Sequence, residues 1–460
     1  MQRVGAVVLA AGQGKRMMSD TPKVLHCAAG VPLVRLVLDA VEDAGITEVV
    51  VVVGQGADMV REALGPEYTY ALQEKQLGTG DAVLQALPHL SDHCKEVLVV
   101  CGDTPLLTSE TLEKLVKSRQ DTGSAAAVLT GIIDDPKGYG RVIKTADNMV
   151  EAIVEESDAS VEQKRIQEIN TGSYVFTKEG LEATIYRLQP DNKQGEYYLT
   201  DCIRLLREAR RPVTAVVAPT IETAGINTRQ QLAEAEQVLR ERECLRLMDE
   251  GVTIFDPRTT YVDKGVQVGQ DTVIHPFTFL QGKTIIGKRC VLGPGTRICS
   301  AVLGNEVTVQ DSVVVESTIG DQCQIGPYSH IRPGNVLADH VKIGGFVELK
   351  ATSVGQGSKI PHLSYIGDTI IGADVNIGAG TITCNYDGIH KHKTFIEDGV
   401  FIGSNTNLVA PVSVRKDAVV GAGSTITKDV PPASLAVERS RQAVIPEWGK
   451  KKRKKEEYDE

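Results

Sequence analysis

The chain has 460 residues, too many for one ordinary hydrophobic core, so two or three domains are expected. Apolar residues make up 42% and charged residues 24%, which excludes a disordered chain, and the formal net charge of -10 argues against nucleic acid as a partner. The nine cysteines show no C-x-x-C or C-x-x-H spacing, so reduced buried thiols are expected rather than disulfides or a metal site.

Residues 1–228 alternate strand and helix signals. The continuous apolar run at 4–10 reads as a buried strand, not a signal peptide, because no basic leader long enough for export precedes it. No apolar stretch anywhere reaches membrane-spanning length, so a cytoplasmic enzyme without stable membrane insertion is expected. A glycine-rich turn follows the first strand, then a helical stretch at 33–44, a Val-rich strand at 48–53 and another strand at 97–101. Short Val-rich runs separated by helical segments predict βαβ units and a parallel sheet. The run Val49-Val50-Val51-Val52-Val53 predicts a strand buried on both faces.

The turn reads Leu9-Ala10-Ala11-Gly12-Gln13-Gly14-Lys15-Arg16, with Pro22-Lys23 behind it. A tight glycine turn between strand and helix exposes backbone N–H groups that cradle phosphates. Arg16 and Lys23 add the positive charge that holds a triphosphate and steadies departing pyrophosphate. The blander reading is an ordinary turn with two surface cations. Asp103, in Cys101-Gly102-Asp103-Thr104-Pro105-Leu106, ends a buried strand, where a carboxylate is well placed for Mg²⁺ and phosphate. An isolated Asp there is more often a helix cap.

Residues 229–251 read as one polar connecting helix stopped by Gly251. From 252 onward aliphatic residues recur every six positions. One run is Val268, Ile274, Leu280, Ile286, Leu292, Ile298; another is Ile319, Ile325, Ile331, Leu337, Ile343, Leu349; a third is Ile396, Ile402, Leu408, Val414, Val420, Ile426. A small residue often follows, as in Ile343-Gly344 and Ile402-Gly403. Neither a helix nor a lone strand has this period; a three-sided parallel β-helix does, with one hexapeptide per face and coils stacked into a continuous core. The phase slips between Leu349 and Val354 and between Ile366 and Ile371, and it is lost from Cys384 to Lys393. Such interruptions map to loops on a binding face. Arg332, Lys350, His362, Tyr365 and Asn376 gather in this region, and Asn385-Tyr386 opens the insertion. Most histidines on a solenoid are merely exposed, yet a neutral His is suited to take a proton from an attacking amine. Arg332 and Lys350 are suited to grip a sugar phosphate. The basic run at 450–455 reads as a solvated tail, with an anionic membrane surface as its alternative partner.

The glycine turn resembles the signature of sugar-nucleotide pyrophosphorylases, departing from it at Lys15, where many members have Thr. The likeness continues through Gln73, Gly78-Thr79-Gly80-Asp81-Ala82, the Gly-Asp-x-Pro-Leu string at Asp103, Tyr139-Gly140-Arg141, Glu155, Asn170-Thr171-Gly172 and Gly225-Ile226-Asn227. Together with the β-helix it resembles the bifunctional N-acetylglucosamine-1-phosphate uridyltransferase/glucosamine-1-phosphate acetyltransferases across residues 3–445. The resemblance implies an α/β fold: a Rossmann-like nucleotidyltransferase domain, a linker helix and a left-handed parallel β-helix over 252–460. It implies acetyl transfer from acetyl-CoA to glucosamine 1-phosphate, then joining of N-acetylglucosamine 1-phosphate to UTP. The product is UDP-N-acetylglucosamine, a precursor of peptidoglycan and other envelope polymers. It implies uridyltransferase contacts at Leu9, Ala10, Ala11, Gly12, Arg16, Lys23, Gln73, Gly78, Thr79, Gly140, Glu155, Asn170 and Asn227, with Mg²⁺ on Asp103 and Asn227. In the acetyltransferase it implies His362 as general base. Arg332, Lys350, Tyr365 and Asn376 would bind the amino-sugar phosphate. Ala379, Asn385, Tyr386, Ser404, Ala422 and Arg439 would bind acetyl-CoA. Members are homotrimers. A single-activity pyrophosphorylase with a non-catalytic, oligomerising β-helix is the alternative, and a non-enzymatic scaffold a remoter one.

Overall fold

The computed structural model describes residues 4–12 and 14–450, and the chain divides between Arg242 and Glu243 into two units. Beyond Lys450 the basic run lies outside the described residues. The first unit contains β1 (Val4–Leu9), β2 (Cys27–Ala28), β3 (Val31–Pro32), α1 (Leu33–Asp43), β4 (Glu48–Val53), α2 (Ala57–Leu64), β5 (Thr69–Leu72), α3 (Thr79–Ala86) and β6 (Glu96–Cys101). Then come α4 (Ser109–Thr122), β7 (Ala126–Ile132), β8 (Arg141–Lys144), β9 (Val150–Val154), β10 (Glu168–Thr177), α5 (Lys178–Ile185), α6 (Asp201–Glu208) and β11 (Val213–Val217).

The main sheet has the order β11-β7-β10-β6-β1-β4-β5. Its central strands are buried on both faces because they are built from Val and Ala, and helices cover them. β6, β1, β4 and β5 are parallel, as the βαβ pattern predicts. β10 corrects that expectation: it runs antiparallel to both β6 and β7. Between β7 and β10 the chain makes only the β8–β9 excursion, without a crossover helix, so it returns in the opposite direction. The order reverses at β1, with β4 on one side and β6 on the other. The crevice beyond their carboxyl ends is therefore the switch point where such sheets bind ligands.

Helix α7 (Arg229–Asp249) begins with a capping box. Thr228 Oγ1 accepts from Gln231 N at 3.2 Å, and Gln231 Oε1 accepts from Thr228 N at 3.1 Å. Ala235 and Leu239 pack with Leu33, Leu36, Leu106 and Ile226. At the other end Gly251 takes φ 89° and donates to Met248 O, while Val252 donates to Leu247 O, which is a Schellman stop.

The second unit is a parallel β-helix of three sheets with 11, 10 and 9 strands. The six-residue positions point inward as expected: Ile274, Leu292, Val309, Ile325, Ile343 and Ile360 on the first face, Leu280, Ile298, Val314, Ile331, Leu349 and Ile366 on the second, Ile286, Leu303, Ile319, Leu337, Val354 and Ile371 on the third. Small residues after the inward position are needed because coils stack closely; a Cβ on Gly355 would overlap the Gly372 backbone of the next coil. Five-residue steps also occur at Ile298 to Leu303, Val309 to Val314 and Val314 to Ile319. A slip of one is thus a tighter corner, not the mark of a site, and it corrects that part of the sequence reading. The insertion is different in kind. Paired residues Val354 and Ile371 are 17 positions apart, whereas Ile371 and Ile396 are 25 apart.

Among the described residues no disulfide joins any of the nine cysteines. Cys290 and Cys323 fill corner positions, their thiols donating to Gly304 O and Ala338 O, as Thr hydroxyls do at other corners.

Candidate active sites

In the first unit a cavity of about 330 Å³ opens at the switch point. Leu9, Ala11, Gly12, Lys23, Gln73, Gly78, Thr79 and Asp103 line it, so the sequence-selected residues of β1, β6 and the start of α3 converge there. Ala10 lies beside them with its N–H given to Val52 O. Gln73 is buried and donates to Gly78 O at 3.0 Å and Asp81 Oδ2 at 2.8 Å, which shapes the entry to α3.

Lys23 Nζ makes a short ion pair with Asp103 Oδ2 and donates to Asn227 Oδ1 at 3.0 Å. Asp103 and Asn227, 124 positions apart in sequence, therefore point their oxygens at one cationic centre. Ile226 N donates to Asp103 O and Asn227 N to Gln231 Oε1, so the capping box of α7 fixes Asn227. A carboxylate and an amide oxygen fit a hard divalent cation that keeps further positions for phosphate and water. Among the described residues no cluster of three or more His, Cys, Asp or Glu competes for this role.

Arg16 stands exposed on the 3-10 turn Lys15–Met17 and does not line the cavity. Both Arg16 and Asp103 act on the Tyr139 hydroxyl, whose pKa burial pushes up. Gly140, Glu155 and Asn170 form an adjoining group. Asn170 N donates to Gly140 O, and Thr200 Oγ1 donates to Glu155 at 3.3 Å. Burial pushes the Glu155 carboxyl above its usual range, and the carboxylates of Asp158, Asp201 and Glu196 add to this. Burial raises the Cys101 thiol to about 12, with the Asp103 carboxylate adding to the rise and Lys23 opposing it. Gln76 and Glu196 also line the cavity, and no motif of the sequence marks them. Gln76 Nε2 donates to Ala11 O at 2.7 Å and holds the glycine turn.

In the β-helix the register builds one column along an edge. Ile360, Ile377, Ile402 and Val420 stack on the first face. Two positions past each stand His362, Ala379, Ser404 and Ala422 in a row, and Arg439 Nη1 donates to Ala422 O at 2.9 Å. Asn376 sits on the first face between Lys359 and Phe401. Arg332, Lys350 and Tyr365 lie on the second face instead. Arg332 pairs with Glu348 at 2.9 Å, and Lys350 with Asp368 at 2.8 Å. His362 is exposed and occupies the edge of that face opposite Asp368.

Asn385 is buried and donates to Asp368 Oδ2, whereas Tyr386 is exposed. Asp387 holds the inserted loop by accepting from Ile389 N, His390 N and His392 Nε2. These contacts, led by the His390 N–H, bring its carboxyl down to about 2. Asp368 and Glu348 belong to the same polar group and stand in no recognisable motif. Each pairs with a residue one coil away, which no local motif reveals.

The MobA-like NTP transferase domain family matches residues 6–160, the GMPPB C-terminal domain family 257–345, and the hexapeptide repeat of succinyl-transferase 393–428. Fold and sites together define a nucleotidyltransferase fused to a hexapeptide-repeat transferase, with the left-handed β-helix that such repeats build. The bifunctional protein GlmU of Heliobacterium modesticaldum is 53% identical over 96% of this chain and 97% of its own length. That of Geobacillus thermodenitrificans is 50% identical over 95% of both, and that of Caldanaerobacter subterraneus 50% identical over 99% of both. The chain belongs to the bifunctional GlmU family.

Proposed function

We propose that the chain makes UDP-N-acetylglucosamine in two steps. In the β-helix the amine of glucosamine 1-phosphate attacks the acetyl-CoA thioester; the C–N bond forms, the C–S bond breaks and the CoA thiol leaves. His362 takes the amine proton. Arg332, Lys350, Tyr365 and Asn376 hold the amino-sugar phosphate, and Ala379, Asn385, Tyr386, Ser404, Ala422 and Arg439 hold acetyl-CoA. In the α/β unit a phosphate oxygen of N-acetylglucosamine 1-phosphate attacks the α-phosphorus of UTP and pyrophosphate departs. That oxygen is already a competent nucleophile, so catalysis rests on in-line positioning and charge neutralisation. Leu9, Ala10, Ala11, Gly12, Gln73, Gly78 and Thr79 hold the nucleotide, Gly140, Glu155 and Asn170 the sugar, and Arg16 and Lys23 the phosphates. Asp103 and Asn227 would hold Mg²⁺, which supplies positive charge to the polyphosphate when bound.

The observation that carries this reading is the convergence of Lys23, Asp103 and Asn227 in one unit while the other aligns His362 with Ala379, Ser404 and Ala422. A β-helix that only oligomerises would leave the Lys350–Asp368–Asn385 cluster without a task. The Lys350 and His362 sets lie at opposite edges of a face, which supports a homotrimer whose acetyl-transfer sites are completed by neighbouring copies. Among the described residues no helix is long and apolar enough to cross a membrane.

The test is His362→Ala in the full chain. Thiol release from acetyl-CoA with glucosamine 1-phosphate should fall by ~10²–10⁴, while uridyl transfer to N-acetylglucosamine 1-phosphate stays at the wild-type rate. Wild-type thiol release in the folded variant would return His362 to an exposed solenoid histidine.

A further inference from the structure

The acetyl-transfer chemistry proposed above uses Lys350 for the sugar phosphate and Asn385 for acetyl-CoA, and leaves Asp368 without a role. Yet a single oxygen of that carboxylate, Oδ2, accepts from both, at 2.8 Å from Lys350 Nζ and in a short contact from Asn385 Nδ2. The two donors arrive from opposite directions along the prism. Lys350 lies one coil before Asp368, and Asn385 opens the insertion one coil after it. The Asp368 backbone is tied to the same two places. Its N–H donates to Lys350 O at 2.9 Å, and its carbonyl accepts at 3.2 Å from Thr394 N, where the chain returns from the insertion.

Two further features hold the arrangement. Gly367, paired with Lys350 in the ladder, is buried beneath the tips of Tyr365 and Asn385. A Cβ there would stand 2.6 Å from Tyr365 Oη and 2.8 Å from Asn385 Nδ2, so glycine leaves the space those side chains occupy. The Lys391 ammonium of the inserted loop also acts on Asp368, so two lysines favour its ionised form. Burial pushes the Asp368 carboxyl up, but Lys350 and Asn385 outweigh it and keep it ionised.

We propose that Asp368 is a positioning residue that couples the two subsites of acetyl transfer: one carboxylate oxygen orients the Lys350 ammonium for the sugar phosphate and the Asn385 amide for the acetyl donor, so a change at either subsite is felt at the other. The proposal rests on the assignment of Lys350 and Asn385 made above. It is tested in the full chain with Asp368→Asn, which keeps the shape and removes the charge. KM should rise roughly tenfold for both glucosamine 1-phosphate and acetyl-CoA, the scale of one lost charge-assisted hydrogen bond, with kcat held within about threefold. Asp368→Glu should restore part of both affinities. A rise in only one KM, or a fall in kcat with both KM values unchanged, overturns the coupling. Lys350→Met gives an independent reading should Asp368→Asn not fold. Coupling predicts that it raises KM for acetyl-CoA, a substrate Lys350 does not touch, and an unchanged acetyl-CoA KM overturns it. If instead Lys350→Met leaves the glucosamine 1-phosphate KM unchanged, the subsite assignment fails, not the coupling.

Discussion

Lys23 satisfies Asp103 and Asn227 with its own ammonium, so in the free protein a side chain stands where the proposed metal would be held. That makes two variants informative together. Asp103→Asn should lose uridyl transfer while acetyl transfer continues, because the metal loses its charged ligand and the other unit is untouched. Lys23→Met should also slow uridyl transfer, yet tighten Mn²⁺ binding to the free enzyme, read by electron paramagnetic resonance, because the competing charge is gone. Weaker Mn²⁺ binding in Lys23→Met would mean that the lysine supports the metal rather than competing with it. Glu155 gives a pH prediction. Its carboxyl is pushed above its ordinary value by burial, so the folded chain binds more protons than the unfolded one between the two pKa values. Stability therefore falls as pH rises through that window and stays reduced above it. Glu155→Gln removes the term, so its melting temperature should gain on wild type from pH 5 to pH 8. An equal difference at both values would assign the effect to the Thr200 hydrogen bond instead. At this scale the sequence revealed Asp103, Lys23 and Asn227 through strings of neighbours. It could not reveal Asp368 or Gln76, whose partners are set by coil stacking and by a turn 65 positions away.

At the scale of elements, the six-residue period was legible because every inward position of a prism face faces the same core. Corner length was not, since a five- or six-residue step closes the prism equally well and both occur here. The direction of β10 was hidden for another reason: Ile169, Val175 and Phe176 mark a strand, and nothing in a strand's composition encodes whether its neighbours run with it or against it. The inward ladder predicts where the β-helix is fragile. Leu349 is fully buried between Ile331 and Ile366, so Leu349→Ala should cost about 2–5 kcal/mol, measured by chemical denaturation of the full chain. It should act on acetyl transfer before uridyl transfer. Uridyl transfer lost at lower denaturant than acetyl transfer would place the core elsewhere. The start of α7 was also readable, as Thr228 followed three residues later by Gln231, and its value is more than structural because Gln231 also accepts from Asn227 N. Removing the cap with Thr228→Ala should cost about 1 kcal/mol.

At the scale of the whole molecule, the two chemistries share a chain without sharing a core, and α7 carries the division between them. Reading that helix as a polar connector accounts for its exposed charges but not for Ala235 and Leu239, which cover Leu33, Leu36, Leu106 and Ile226. Nor does it account for Arg242, which donates to Leu106 O at 3.0 Å. Further along, Cys244 and Leu247 are fully buried in the cluster that fills the β-helix and so act as a cap on its first coil. A fragment ending at residue 228 therefore uncovers an apolar patch and loses the Gln231 contact that fixes Asn227. One ending at 242 keeps both. The 1–242 fragment should retain uridyl transfer and melt above the 1–228 fragment, which should be less active and prone to associate. The two are compared by activity at saturating UTP, by thermal unfolding and by size-exclusion chromatography. Equal melting temperatures and equal activities would mean that the first half of α7 is a tether and that Asn227 is held by the α/β unit alone.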